Sequence, residues 1–250
     1  MWLLDIQVQA RLILLGMDMT KSINRWSAFA LHLMLSLMVF VLLASIVLFW
    51  FFPGGLFLAA GGWEGLRIIL AVDLVLGPCL TLIVFSPLKP RLELVRDLTV
   101  VALVQILALT AGCYVVSTAR PLAVVHVFDT LYVFNREDYR QLGVEPQVLD
   151  GLTGWTPKFF YVEAPAHLAD FLAQHTKALL NGERPLQQRV DLYRKMPADA
   201  QAFDKILHSA GKGDEGSCVR VDIESSYQSG SVCFDPGAQK AWSFIAGVKG

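Results

Sequence analysis

The chain has 250 residues, 54% of them hydrophobic and 17% charged, whereas about a quarter of the residues in an ordinary soluble protein are charged. This composition excludes an ordinary soluble protein. The net charge of −1 provides no overall basic field, so no nucleic-acid partner is expected. The hydrophobic excess lies almost entirely in residues 27–118, and residues 119–250 have the composition of a globular domain.

Residues 1–24 precede the first long apolar segment. Asp5 and Arg11 interrupt their apolar run, so this segment is too short and too polar to cross a membrane. The order of a secretory signal peptide, positive charge followed by a clean apolar run, is not found there. We expect a cytoplasmic interfacial helix or a disordered tail, and a start at Met17 or Met19 is a third interpretation.

Three apolar segments predict a transmembrane domain of three helices over residues 25–118. About 20 residues of apolar α-helix cross a hydrocarbon core of about 30 Å, and each segment reaches that length. The predicted spans are residues 26–52, 66–86 and 98–117. Pro-Gly-Gly at residues 53–55 ends the first span, and a proline-rich turn at residues 86–90 separates the second from the third.

Basic residues in the short connecting segments predict the orientation, because such residues concentrate on the cytoplasmic side. They are Lys21 and Arg25 before the first span and Lys89, Arg91 and Arg96 between the second and third, against Arg67 alone between the first and second. We therefore expect the N-terminus in the cytoplasm and the C-terminal domain outside. The connecting segment of residues 53–65 is apolar, so we expect it on the bilayer surface or under the soluble domain.

Residues 119–250 predict a soluble α+β domain. Short runs rich in β-branched and aromatic residues favour strands, and apolar residues at helical spacing favour helices. The predicted strands are 122–128, 131–134, 159–162, 219–223, 232–234 and 242–245, and the predicted helices are 137–142, 165–180 and 198–209. The fold class expected for the whole chain is a membrane protein with three transmembrane α-helices followed by this domain.

Asp73 is the most informative residue of the predicted spans. A carboxylate inside a membrane costs roughly 2.5–3.5 kcal/mol on insertion scales, and such acids usually face a partner or a functional site. Gly77 and Pro78 follow one turn later, and Pro78 predicts a kink near the carboxylate. Counting the rise along each span places Thr110 level with Asp73. Asp73 therefore contacts a partner helix, serves as a proton or ion site, or makes a structural hydrogen bond to Thr110, and the sequence leaves these interpretations open.

Two other polar residues lie within the spans. His32 is near the start of the first span, with Ser36 one turn on along the same face. Gln105 is near the middle of the third span. For both side chains we expect packing and hydrogen bonding between helices, and not ligand binding.

The four cysteines divide between the two parts of the chain. Cys79 and Cys113 lie in apolar spans, whereas Cys218 and Cys233 flank a predicted strand–turn–strand unit. Outside the cytoplasm a Cys218–Cys233 disulfide is favoured, and closing a loop of about 15 residues contributes roughly 3 kcal/mol in the chain-entropy treatment. Two buried free thiols are the alternative.

No motif predicts catalysis or a bound cofactor. The sequence has no Cys-x-x-Cys or Cys/His cluster with the spacing of a metal site, no phosphate-binding glycine loop and no Ser-His-Asp order. We therefore predict no catalytic residues, no cofactor and no metal.

The order of motifs in residues 24–135 resembles the TfpX/TfpZ family of type IV pilin accessory proteins. The resemblance rests on residues 25–33 (RWSAFALHL), 50–57 (WFFPGGLF), 60–62 (AGG), 72–85 (VDLVLGPCLTLIVF) and 119–121 (ARP). It implies a multi-pass protein of the bacterial inner membrane, with a periplasmic C-terminal domain, that assists a type IV major pilin. It implies no enzymatic activity.

Three functions are compatible with these features. The leading hypothesis is a non-enzymatic, chaperone-like factor for type IV pilin assembly, whose partners are the major pilin and the lipid bilayer. The second is a membrane-bound pilin-modifying enzyme, which would require more spans or an acidic catalytic loop. The third is a periplasmic ligand sensor, which would require a larger cytoplasmic output.

Overall fold

The structure is a computed structural model that describes residues 24–144, 154–207 and 218–247. Residues 1–23 of the predicted interfacial helix or tail, including both candidate start residues, lie outside the described residues. The last two residues of the helix predicted at 198–209 also lie outside them.

Three long apolar helices occupy the first part of the described chain. They are α1 (Arg25–Phe51), α3 (Gly62–Val84) and α4 (Arg91–Ala119), and a single turn, α2 (Leu56–Ala59), lies between α1 and α3. Their 27, 23 and 29 residues correspond to roughly 40, 34 and 43 Å of helix. By length and composition each is able to cross a membrane.

The boundaries of α3 and α4 differ from the predicted spans. α3 begins at Gly62 instead of residue 66, and α4 begins at Arg91 instead of residue 98. The first turns of α4 are polar, so a span predicted from apolar residues alone began after them. An ion pair between Lys89 and Asp97, with Nζ and Oδ2 2.8 Å apart, lies at this end of the helix.

Two stretches of these helices are π-helical: Val47–Phe51 at the end of α1 and Ala71–Leu76 in the middle of α3. In α3 the N–H of Gly77 donates to the carbonyl of Val72, five residues earlier. The widened turn comes directly before Pro78, whose ring would otherwise crowd the carbonyl of the preceding turn. The predicted distortion near Pro78 therefore takes the form of a π-helical turn.

The chain divides into two compact units. The first consists of residues 24–43 and 67–113, and the second of residues 44–66 together with the described residues from 114 onward. The second unit thus contains the connecting segment between α1 and α3 in addition to the C-terminal domain.

The C-terminal domain is built on a seven-stranded mixed sheet with the order β4-β3-β1-β2-β5-β6-β7. The strands are β1 (Pro121–Val127), β2 (Thr130–Asn135), β3 (Lys158–Tyr161), β4 (Arg194–Lys195), β5 (Val219–Ser225), β6 (Ser229–Asp235) and β7 (Lys240–Ala246). β1 pairs in parallel with β3, and β2 pairs in parallel with β5; the other neighbours are antiparallel. Three apolar helices followed by a sheet-rich domain agree with the predicted order of elements.

Helices cover both faces of the interior strand β1, and all seven residues of β1 are buried. The helices of this domain are α5 (Arg136–Gln141), α6 (Leu168–Leu180) and α7 (Ala200–Asp204). Val125 and Val127 pack with Tyr139 of α5 and Phe171 of α6 in one core cluster. On the alternate face, the ring of His126 lies 5.6 Å from that of Phe203 in α7. β1 is apolar in nearly every position because both of its faces need apolar contacts.

The predicted disulfide between Cys218 and Cys233 is confirmed. It joins the residue before β5 to the neighbouring strand β6, with the two Cα atoms 5.5 Å apart. The bridge therefore links the beginning of β5 to its neighbour β6 at the open end of the β5–β6 hairpin.

Candidate partner-binding site in the apolar helices

Asp73 is the middle residue of α3 and is 5% exposed. It lies inside the π-helical turn of residues Ala71–Leu76, an irregularity that is common at functional sites. The prediction placed Asp73 nearer to one end of its span; the longer helix places it at the midpoint. A buried carboxylate at this depth requires polar neighbours or a partner that supplies them.

His32 is the polar neighbour that the structure brings to this region. Its Nδ1 lies 2.5 Å from the hydroxyl oxygen of Thr81, so a hydrogen bond joins the half-buried His32 of α1 to the buried Thr81 of α3. The imidazole also interacts electrostatically with the Asp73 carboxylate. We call these three residues the α1–α3 polar cluster.

Thr110 does not take the role predicted for it. Its side chain is exposed, and its hydroxyl donates to the carbonyl of Ile106 in its own helix at 2.7 Å. Among the described residues Asp73 accepts no hydrogen bond, from Thr110 or from any other donor. The polar neighbour of Asp73 is therefore His32 of α1, a pairing that sequence reasoning did not make.

Gln105 and Gly77 form the contact between α4 and α3. A Cβ atom added to Gly77 would lie 1.9 Å from Nε2 of Gln105, so the amide occupies the space that a side chain at residue 77 would need. Gln105 is the middle residue of α4, and Gly77 is buried. Gln105 thus contacts α3 at Gly77, and the hydrogen bond between helices expected of Gln105 stays a prediction. Pro78, also buried, begins the regular helix that follows.

The outward surfaces of the helices are apolar. Large exposed side chains include Leu31, Met34, Leu35, Met38 and Leu42 on α1, and Leu103, Ile106 and Leu107 on α4. Exposed apolar surface of this extent is typical of a membrane or partner-facing helix and not of a protein surface in water. It can contact lipid chains or another apolar helix.

In the second unit, the connecting segment between α1 and α3 packs on the sheet. Leu56 and Ala59 of α2 are fully buried. The N–H of Gly55 donates to the carbonyl of Ala241 in β7 at 2.6 Å, and the Ser225 hydroxyl donates to the carbonyl of Ala59 at 2.6 Å. Of the two locations predicted for this segment, the structure supports the one under the soluble domain.

The residues of the sheet that hold this segment were not singled out from the sequence. They are Ser225, Tyr227, Ala241 and Trp242, which come from the β5–β6 turn and from β7. The sequence indicated them only indirectly. A glycine-rich segment that contains large apolar residues such as Leu56 needs a surface that covers those residues. Only the fold identifies that surface.

These features define a class of protein: three helices with apolar outer surfaces, one buried acid, and a disulfide-bonded sheet domain held by the first inter-helix segment. Three curated relatives, all fimbrial assembly proteins of Dichelobacter nodosus, align with 108 residues, 43% of this chain. The proteins of serogroup I and of serogroups C1 and C2 are 32% identical to it, and that of serogroup E1 is 30% identical.

The alignment covers 82% of the serogroup C1 and C2 protein, but 42% of the serogroup I and E1 proteins, so the chain spans less than half the length of those two. The chain belongs to this family of fimbrial assembly proteins, and its resemblance to the type IV pilin accessory family is confirmed. No family model matches the chain, and no solved structure matches it.

Proposed function

We propose that the protein is a non-enzymatic accessory factor that assists assembly of a type IV major pilin in the bacterial inner membrane. The observation that carries the proposal is the similarity to relatives named as fimbrial assembly proteins. The apolar outer surfaces of α1 and α4 support it, because an assembly factor must meet a membrane-embedded partner. No specific observation favours the two alternative functions, a pilin-modifying enzyme and a periplasmic ligand sensor.

The proposed orientation has the N-terminus in the cytoplasm and the sheet domain in the periplasm. The distribution of Lys21, Arg25, Lys89, Arg91 and Arg96 supports this orientation. The Cys218–Cys233 disulfide also supports it, because disulfides persist in oxidising compartments.

Alkaline phosphatase fused after residue 250 tests the orientation, since this enzyme is active only outside the cytoplasm. We expect an active fusion. An inactive phosphatase together with an active cytoplasmic reporter at the same point would reverse the orientation.

The α1–α3 polar cluster is the proposed contact for the partner's apolar helix. Asp73 is nearly covered by the chain's own helices, so contact with the carboxylate requires α1 and α3 to separate locally. The π-helical turn around Asp73 supports this step, because its backbone is less regular than that of an α-helix. Once separated, the carboxylate would exchange His32 for a polar or cationic group of the partner.

Co-purification tests the proposal directly. The full chain is extracted in detergent after crosslinking from the sheet domain, and the bound material is identified. We expect the major pilin to be recovered. Recovery of a lipid-linked sugar without pilin would contradict the accessory role and favour the modifying enzyme.

Asp73→Asn tests the cluster within the same assay. The amide keeps the size of the side chain and its capacity to form hydrogen bonds, and it removes only the charge. We therefore expect normal protein level with reduced pilin recovery and fewer surface pili. Thr110→Val is the matched control, because its hydroxyl is exposed and bonded within its own helix. Normal pili with Asp73→Asn would exclude a role for the charge, and loss of the protein would show that the carboxylate serves stability alone.

A further inference from the structure

A pocket of about 620 Å³ lies in the second unit where α1 and α4 end. Phe51 is the last residue of α1, and Tyr114 and Arg120 are at the end of α4 and just beyond it. Arg136, the first residue of α5, and Trp155 complete the lining that the argument uses. None of these residues belongs to the α1–α3 polar cluster.

The charged side chains that line this pocket are positive. Arg120 and Arg136 both line it, and no acidic side chain of the described residues does. Among the described residues neither arginine has an ion-pair partner. Burial, and secondarily the like charge of Arg136, lower the pKa of Arg120. An anion bound by both arginines would offset their like charges.

The Arg120 guanidinium is held in place by two contacts. The Cζ atom of Arg120 lies 5.1 Å from the centre of the Phe51 ring. Its Nη1 donates a hydrogen bond to the carbonyl oxygen of Gly154 at 2.6 Å. A guanidinium carries five N–H donors, so donors remain for an anion. The Phe51 ring in turn contacts Trp155, with the ring centres 6.0 Å apart. The site is thus a cation held against an aromatic ring, and the exposed Arg136 lines the same pocket.

We propose that this pocket binds the phosphate headgroup of an anionic membrane lipid through Arg120 and Arg136. The inference rests on the proposed function, because it requires α1 and α4 to span the membrane and end at its outer interface. Guanidinium groups match the geometry of phosphate oxygens and bind them with two parallel hydrogen bonds.

The position of the pocket favours a lipid over a phosphate ion from solution. Two of its walls are the ends of α1 and α4, which are apolar over most of their length, so a headgroup bound there has its acyl chains beside these helices. Tyr114 and Trp155 are 69% and 67% exposed, as expected for aromatic residues in the headgroup layer. The pocket volume also lies in the range of organic-ligand sites, about 300–1,000 Å³, and exceeds what one phosphate ion needs.

The test uses the full chain in nanodiscs of phosphatidylcholine with a titrated fraction of phosphatidylglycerol, with retained lipid measured by native mass spectrometry. We expect phosphatidylglycerol to be retained preferentially. Arg136→Gln should weaken retention about fivefold, the effect of one basic residue at about 1 kcal/mol. Arg140→Gln is the matched control: it lies on the same helix, is exposed, pairs with Glu137 and does not line the pocket.

Each outcome decides between explanations. Equal retention of the two lipids by membrane-inserted protein, or equal weakening by Arg136→Gln and Arg140→Gln, would overturn the lipid site and leave the proposed function intact. Failure of the chain to enter membranes would overturn both. Displacement of phosphatidylglycerol by millimolar inorganic phosphate would show that a soluble anion, and not a lipid, is the ligand.

Discussion

Gly54 is the residue on which the packing of the connecting segment against β7 depends most. Its φ is +65°, a conformation that costs other residues roughly 1–2 kcal/mol. A Cβ at this position would lie 2.2 Å from the carbonyl oxygen of Ala241, the same oxygen that accepts the N–H of Gly55. The obstructing atom belongs to the backbone of β7, so no side-chain rotation relieves the clash.

We therefore expect Gly54→Ala to destabilise the second unit by roughly 2–5 kcal/mol, adding about 1–3 kcal/mol of overpacking to the cost of the backbone conformation. Gly182→Ala is the matched control. Its φ is +71°, but no atom lies within 4 Å of the added Cβ. The control should lose only the conformational cost, and the difference between the two variants measures the contact with β7.

Thermal unfolding of the full chain in detergent, followed by circular dichroism, gives the comparison. At about 2–4 °C per kcal/mol for a chain of this size, Gly54→Ala should unfold roughly 2–12 °C below Gly182→Ala. It should also expose the segment of residues 53–65 to limited proteolysis. Equal unfolding temperatures and equal cleavage in the two variants would refute the reasoning, because the clash would then contribute nothing.

Three further predictions concern other parts of the chain. Thiol labelling of denatured, unreduced protein should reach neither Cys218 nor Cys233; labelling of both without reductant would contradict the bridge. Gly77→Ala should destabilise the first unit only slightly, because the added methyl displaces the end of the flexible Gln105 side chain and no backbone atom. The penalty should vanish in a Gln105→Ala background, and a persistent penalty would point to the backbone. Burial raises the pKa of Tyr193 to about 12. Its stabilisation is present below pH about 10 and lost as the pH rises towards 12, so Tyr193→Phe should weaken the alkaline loss of stability seen by fluorescence.

The apolar helices were predictable from sequence because hydrophobicity over about 20 residues is a local property. The ends of these helices were less predictable. The first turns of α4, for example, are helical but polar, so hydrophobicity did not indicate them. β4 was missed because the two residues Arg194 and Lys195 carry no periodicity; they are a strand only through their pairing with β3. The strand order was equally out of reach, since parallel pairing of β1 with β3 and of β2 with β5 depends on contacts distant in sequence.

The contacts within the candidate site could not be predicted from the sequence. Counting the rise per residue gives the depth of a side chain but not the face of the helix on which it lies. Thr110 was matched to Asp73 by depth, but its side chain is exposed and bonded to its own helix. A rotation of about 100° per residue means that an error of one or two positions changes the face entirely.

The polar contacts instead identify α3 as the central helix of the first unit. Thr81 joins it to His32 of α1, and Gly77 joins it to Gln105 of α4. In its most apolar stretch 28% of the residues are buried, against 11% in α1 and in α4. A partner helix would therefore first meet the outer surfaces of α1 or α4, and reach Asp73 only after that contact has loosened the hydrogen bond between His32 and Thr81. Under the proposed function, the two outer helices would recognise the apolar partner, and the acid on the central helix would respond to it.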